Sequence, residues 1–115
     1  MPVGNPSTLF GPLALTATLT TNIYVPPSAL IDEFLRHLHI VNKTGSAHNF
    51  SLYLGATGAN AAGTELFLQQ EVRPYSSFDW YCNLRMTSTT YLVGGADALT
   101  SLVITGMGEK RAIST

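Results

Sequence analysis

Apolar and polar residues alternate with a period of two along most of this chain, and that alternation restricts the fold more than any other feature of the sequence. Phe78, Trp80, Cys82, Leu84 and Met86 fall on one side of an extended run, and Asp79, Tyr81, Asn83 and Arg85 fall on the other. Successive side chains of a β-strand point to opposite faces, so five large apolar groups enter a core together and a central strand is expected. The same period marks Leu13 to Val25, a strand bent or broken once, then Leu35 to Asn42, Asn49 to Leu54, Thr64 to Val72, Thr89 to Val93 and Thr100 to Gly106. In the run from Asn49, Phe50, Leu52 and Leu54 read as inward and Ser51 and Tyr53 as outward.

Turn residues separate these runs. Pro26-Pro27 ends the first, because proline cannot donate to a ladder, and leaves room for at most one helical turn around Ser28 to Phe34, capped by Asp32 and Glu33. Asn42-Lys43-Thr44-Gly45-Ser46, Arg73-Pro74-Tyr75-Ser76 and Gly94-Gly95-Ala96-Asp97 read as turns. Seven to eight short strands and no stretch of helical periodicity predict an all-β domain, an antiparallel β-sandwich of jelly-roll or immunoglobulin-like type. The chain has 115 residues, enough for one such core. The expected organisation is an extended arm over 1–12, a single sandwich over 13–108 and a tail over 109–115, an edge strand or a second arm.

Composition removes several function classes. The formal charge is −1 and the six basic residues are scattered, which leaves no electrostatic footprint for nucleic acid. No run approaches the roughly 20 apolar residues of a membrane span. The start LFGPLALTATL lacks a charged n-region, since no Lys or Arg precedes Arg36, so no signal peptide and synthesis in the cytoplasm are expected. The single cysteine, Cys82, excludes an intrachain disulfide and reads as an inert core thiol. Charged residues make up only 11% of the chain against a usual share of about 25%. A surface so poor in charge suits a protein covered by neighbours, although the strand propensity of threonine gives the same bias.

Candidate chemistry centres on His37 and His39. On a strand they share a face about 6 to 7 Å apart, a spacing that two imidazoles can use to grip one metal ion. The four residues after His39 are Ile40, Val41, Asn42 and Lys43, with no acid among them, and His48 sits across the turn. The pair therefore reads as solvent- or partner-facing, with no metal or cofactor. Asp79 and Arg85 read as a solvated outward pair, and the adjacent Asp32 and Glu33 do not flank a substrate as an acid and base would. The loop GATGANAAG from Gly55 to Gly63 lacks the lysine of a phosphate cradle. No enzyme is expected.

The block IYVPPSALIDEFLRHLHIVNKTGSAHNFSLYLGA joins a strand ending in Ile23-Tyr24-Val25-Pro26, a strand ending in Val41-Asn42 with a Thr44-Gly45 turn, and the strand Phe50 to Leu54. Together with Val103-Ile104-Thr105-Gly106-Met107-Gly108-Glu109 it resembles small β-sandwich structural proteins of tailed bacteriophages. The resemblance implies a virion component: a capsid decoration (cement) protein at capsomer junctions, or a tail-associated protein. In either case it implies a homotrimer or ring that binds the major capsid protein or other virion proteins. Candidate contact residues are Pro2, Leu9 and Phe10 of the arm, the loop Gly55 to Gly63, the outward aromatics Tyr53, Tyr75 and Tyr81, and His37 and His39. On this reading, deletion of residues 1–11 leaves the domain folded and abolishes particle binding. The alternative is a receptor-type or carbohydrate-binding module whose exposed aromatics stack on sugars.

Overall fold

A computed structural model describes residues 7–56 and 64–112. They form eight strands: β1 (Ser7–Ala14), β2 (Thr21–Tyr24), β3 (Ile31–Asn42), β4 (His48–Gly55), β5 (Glu65–Val72), β6 (Ser77–Met86), β7 (Tyr91–Ala96) and β8 (Leu102–Ala112). One four-stranded sheet has the order β1-β8-β3-β6 and the other β2-β7-β4-β5. All pairings are antiparallel. Every connection except β4 to β5 therefore crosses from one sheet to the other, and the first strand lies beside the last. That arrangement is a jelly roll, which decides between the two sandwich types the alternation allowed. Among the described residues no helix is long and apolar enough to cross a membrane.

The inward residues of both sheets make one core around Leu35, Leu38, Ile40, Phe50, Leu52, Met86, Leu92, Leu102 and Ile104, all fully enclosed. Rings seal its two open flanks. Where β5 and β6 run as edge strands, Phe67 packs edge-on against Phe78 and Trp80 with centroids 5.5 and 5.0 Å away, and Phe50 backs them. On the opposite flank Phe10 of β1 stacks on Tyr24 of β2 at 5.0 Å. Offset and edge-to-face ring pairs contribute about 0.5–1.5 kcal/mol each beyond the area they bury.

Several expectations change. Residues 7–12 are not an arm: they belong to β1, and Leu9 and Phe10 are buried in the core. Pro2 and residues 57–63 of the small-residue loop lie outside the described residues. The segment from Glu109 to Ala112 is not a separate tail, because β8 continues through it paired with β3, beyond the last described β1 pair at Ser7 and Gly108. Ile31 to Phe34 is strand rather than a helical turn, so Asp32 and Glu33 cap nothing. Gly94 to Ala96 is the end of β7 rather than a turn. The apolar side of β6 faces the core as expected, yet β6 is an edge strand, and its rings serve as the flank seal. Tyr53 does point away from the main core, but with Tyr91 and Val93 it forms a second buried cluster on the far side of its sheet.

Asn42 shows why the Asn-Lys-Thr-Gly segment turns where it does. It is fully buried, and its amide nitrogen donates to the carbonyls of Ser46 at 2.8 Å and Val72 at 3.0 Å. Its side-chain oxygen accepts the Thr44 N–H at 2.9 Å and the Thr44 hydroxyl at 2.8 Å. One asparagine thus meets its full set of hydrogen bonds while holding two strand connections together. Further bonds tie the neighbouring loops at this end, from Tyr75 N–H to the Thr44 carbonyl and from Thr100 N–H to the Leu15 carbonyl, both at 3.1 Å.

Candidate functional site

The site lies on the outer face of the first sheet and begins with an irregularity in β3. Inward residues of β3 are Glu33 and Leu35, then Leu38, Ile40 and Asn42. The spacing of three between Leu35 and Leu38 marks a bulge at Arg36 and His37, and the ladders to both β6 and β8 shift register there. Both bulge residues consequently face outward. Beyond them the strand regains its alternation and places His39 and Val41 on the same outer face.

Across the β3–β6 ladder, His37 stands opposite Tyr81 and His39 opposite Asp79. His37 Nε2 lies 2.7 Å and His39 Nδ1 2.6 Å from the same carboxylate oxygen, Asp79 Oδ1. The His37 ring stacks on Tyr81 with centroids 4.3 Å apart and planes 4° from parallel. The imidazole hydrogen bonds, that of His39 foremost and then that of His37, hold the Asp79 carboxyl below its ordinary range, against a small opposing effect of burial. The donor atoms of His37, His39 and Asp79 all lie within 4.8 Å of one another, a set able to ligate one metal ion.

No arginine competes for Asp79 in this arrangement. Arg85, its expected partner, donates instead to Asp32 Oδ2 at 2.8 Å. Arg36 donates to Glu109 Oε1 at 2.6 Å, and Arg111 reaches the same oxygen at 3.0 Å while lying over the Phe34 ring. A third histidine–aspartate pair, His48 with Asp97 at 2.9 Å, sits on the other sheet and contains a single histidine.

Two further features carry unusual polar groups. Glu33 is buried and accepts the Tyr24 hydroxyl at 2.6 Å. Burial, then that hydrogen bond, raises the Tyr24 phenol far above its ordinary range. A shallow groove of about 560 Å³ at the end of the sandwich is lined by Ser28, Ile31, Asp32, Arg85 and the threonines of the β6–β7 turn. Asp32 Oδ1 is buried there without a hydrogen-bond partner. Cys82 is half-buried with its thiol raised by burial and directed at the Leu35 carbonyl, the behaviour of a packed rather than a reactive thiol.

Of the residues singled out in the sequence, His37, His39 and Tyr81 come together on one face, Tyr75 is exposed in the β5–β6 turn with its ring beside Gly45, and Leu9, Phe10 and Tyr53 are enclosed. Asp79 is the member that local reading missed. Its only sequence signal is a position in the middle of an alternating strand, which does not reveal which strand will pair beside it. Leu30, Leu68 and Leu99 are also exposed, at 69%, 61% and 66%, and were not anticipated as surface residues. Compared with protein-family models, curated proteins and solved structures, the chain matches none.

Proposed function

We propose that the chain is a non-enzymatic structural protein of a bacteriophage particle, a capsid decoration subunit that binds as a homotrimer at capsomer junctions. The observation that carries this reading is the spread of exposed apolar side chains over a surface poor in charge. Leu99 and Tyr75 lie at one end of the sandwich, Leu30 at the other, and Leu68 and Tyr81 on the edge strands β5 and β6. A single ligand pocket would gather such residues, whereas a subunit that touches several neighbours distributes them. Each contact is small, and binding strength comes from many copies engaged together. The resemblance of the Ile23 to Gly55 segment to phage β-sandwich proteins supports the same reading; a jelly roll alone does not, because that architecture hosts unrelated functions.

The test is the mass of the protein in solution and its retention on purified particles of the phage that encodes it. A mass three times the 12.3 kDa of the chain and saturable retention are expected. A monomer at every concentration that does not sediment with particles refutes the proposal. A tail-tip carbohydrate-binding role draws on the exposed Tyr75 ring, and glycan retention lost in Tyr75→Ala would favour it instead.

A further inference from the structure

The geometry points to a divalent transition-metal site, with zinc as the first candidate ion, formed by His37 Nε2, His39 Nδ1 and Asp79 Oδ1 on the outer face of the β3–β6 pair. This inference does not rest on the virion reading. Two imidazoles and one carboxylate are a borderline donor set that suits zinc and its neighbours in the first transition row better than calcium or magnesium, which take oxygen alone. Two of the ligands are i and i+2 on one strand, and the third is the direct cross-strand partner of His39. The carboxylate that the sequence near the histidines lacks is thus supplied by another strand.

The donor atoms already converge. Both imidazoles aim a ring nitrogen at one oxygen, at 2.7 and 2.6 Å. Ligands about 2.0–2.1 Å from a tetrahedral zinc stand about 3.3 Å apart. Each nitrogen–oxygen separation must therefore open by roughly 0.6 Å while the nitrogens draw together, a side-chain adjustment with no change in the strands. The two ligands that move most freely are the more exposed ones: His39 and Asp79 have 35% and 36% of their side chains open to solvent, against 20% for His37. His37 is held by its stack on Tyr81, and β3 is braced by neighbours on both sides. Each imidazole presents an unprotonated nitrogen to the ion and carries its proton on the other ring nitrogen, which a neutral ring donating to Asp79 reaches by a shift of tautomer. The guanidinium of Arg36, next to His37 in the bulge, is paired with Glu109, and Arg85, six residues along β6 from Asp79, is paired with Asp32, so neither occupies the carboxylate. With three protein ligands on an outward face, the fourth position takes water.

The experiment is calorimetric titration of the untagged, chelator-treated full chain with zinc chloride, beside Asp79→Asn, His39→Ala and, as a control, His48→Ala. Wild type and H48A should bind one zinc per chain with the same affinity. D79N and H39A should bind at least roughly tenfold more weakly, the scale on which a metal site responds to loss of a directing group. Cobalt substitution should give visible ligand-field bands in wild type that vanish in H39A. Circular dichroism and melting of each variant without metal establish that it is folded. No stoichiometric binding by the wild type, or an affinity unchanged in D79N and H39A, overturns the site.

Discussion

Phe10 and Gly106 provide a direct test of whether the N-terminal strand belongs to the domain. Phe10 is 6% exposed, and its ring lies over Gly106 so closely that a Cβ there would collide with ring atoms Cε1 and Cζ. Truncating a buried phenylalanine to alanine costs about 3–5 kcal/mol. Total stability for a domain of this size is about 5–15 kcal/mol, so Phe10→Ala should remove a large share of it. With a urea dependence of about 2 kcal/mol per molar, the midpoint of unfolding should fall by about 2 M. Gly106→Ala should cost about 1–3 kcal/mol in the wild type by displacing the ring. In the F10A background the new methyl enters the vacated space, so the same change should cost much less, a coupling of about 1–2 kcal/mol. Urea melts of the four proteins, followed by tryptophan fluorescence and circular dichroism, complete the cycle. Additive effects, or a loss below about 1 kcal/mol for F10A, would show that β1 is an arm after all. Deletion of residues 1–11 removes Leu9 and Phe10 together, so it should unfold the chain rather than yield the folded, non-binding fragment that the sequence suggested.

Two other outcomes follow from the polar clusters. Arg36 foremost, and Arg111, hold the Glu109 carboxyl below its ordinary value of 4.5; the stabilisation is complete above that value and lost as pH falls through the lowered folded one, so acid melts of Glu109→Gln should show a shallower decline below about pH 4.5 than the wild type. Asn42→Ala takes a hydrogen bond from the Val72 carbonyl and from the Thr44 N–H, while the Thr44 hydroxyl and the Ser46 carbonyl keep their own bond at 2.9 Å, and should lower stability by about 2–4 kcal/mol in urea melts, more than the same change at exposed Asn83.

The alternating runs of β3, β4 and β6 were legible because a strand writes its two faces into neighbouring residues. Which strand lies beside which was not. The contact between His39 and Asp79 joins residues 40 apart, and no local pattern encodes it. The large rings of Phe78 and Trp80 read as a central strand because side-chain size usually goes with depth; in a sandwich they serve as well at an edge, where they cover the gap between sheets. Alternation places Tyr53 on the correct side of its strand, but the burial of that side depends on Tyr91 and Val93 of the neighbouring β7, far away in sequence. Likewise Leu9 and Phe10 stand in the stretch that reads as an extended arm, and only the ladder to β8 shows that it is a strand of the domain.

The bulge in β3 also acts as a parity switch. Before it, odd-numbered residues face the core; after it, even-numbered ones do. Loss of one residue at Arg36 or His37 would leave Leu35 and Leu38 two positions apart instead of three, as in a regular strand, so both halves would keep their inward faces and only the bulge would be lost. Against β8 the ladder would become regular, since Leu35 and Leu38 lie opposite Gly108 and Gly106, which are themselves two residues apart. The imidazole face therefore survives loss of Arg36, which leaves His37 and His39 alternating with Leu38 and Ile40 on one regular strand; what the bulge adds is the extra outward position from which Arg36 reaches Glu109.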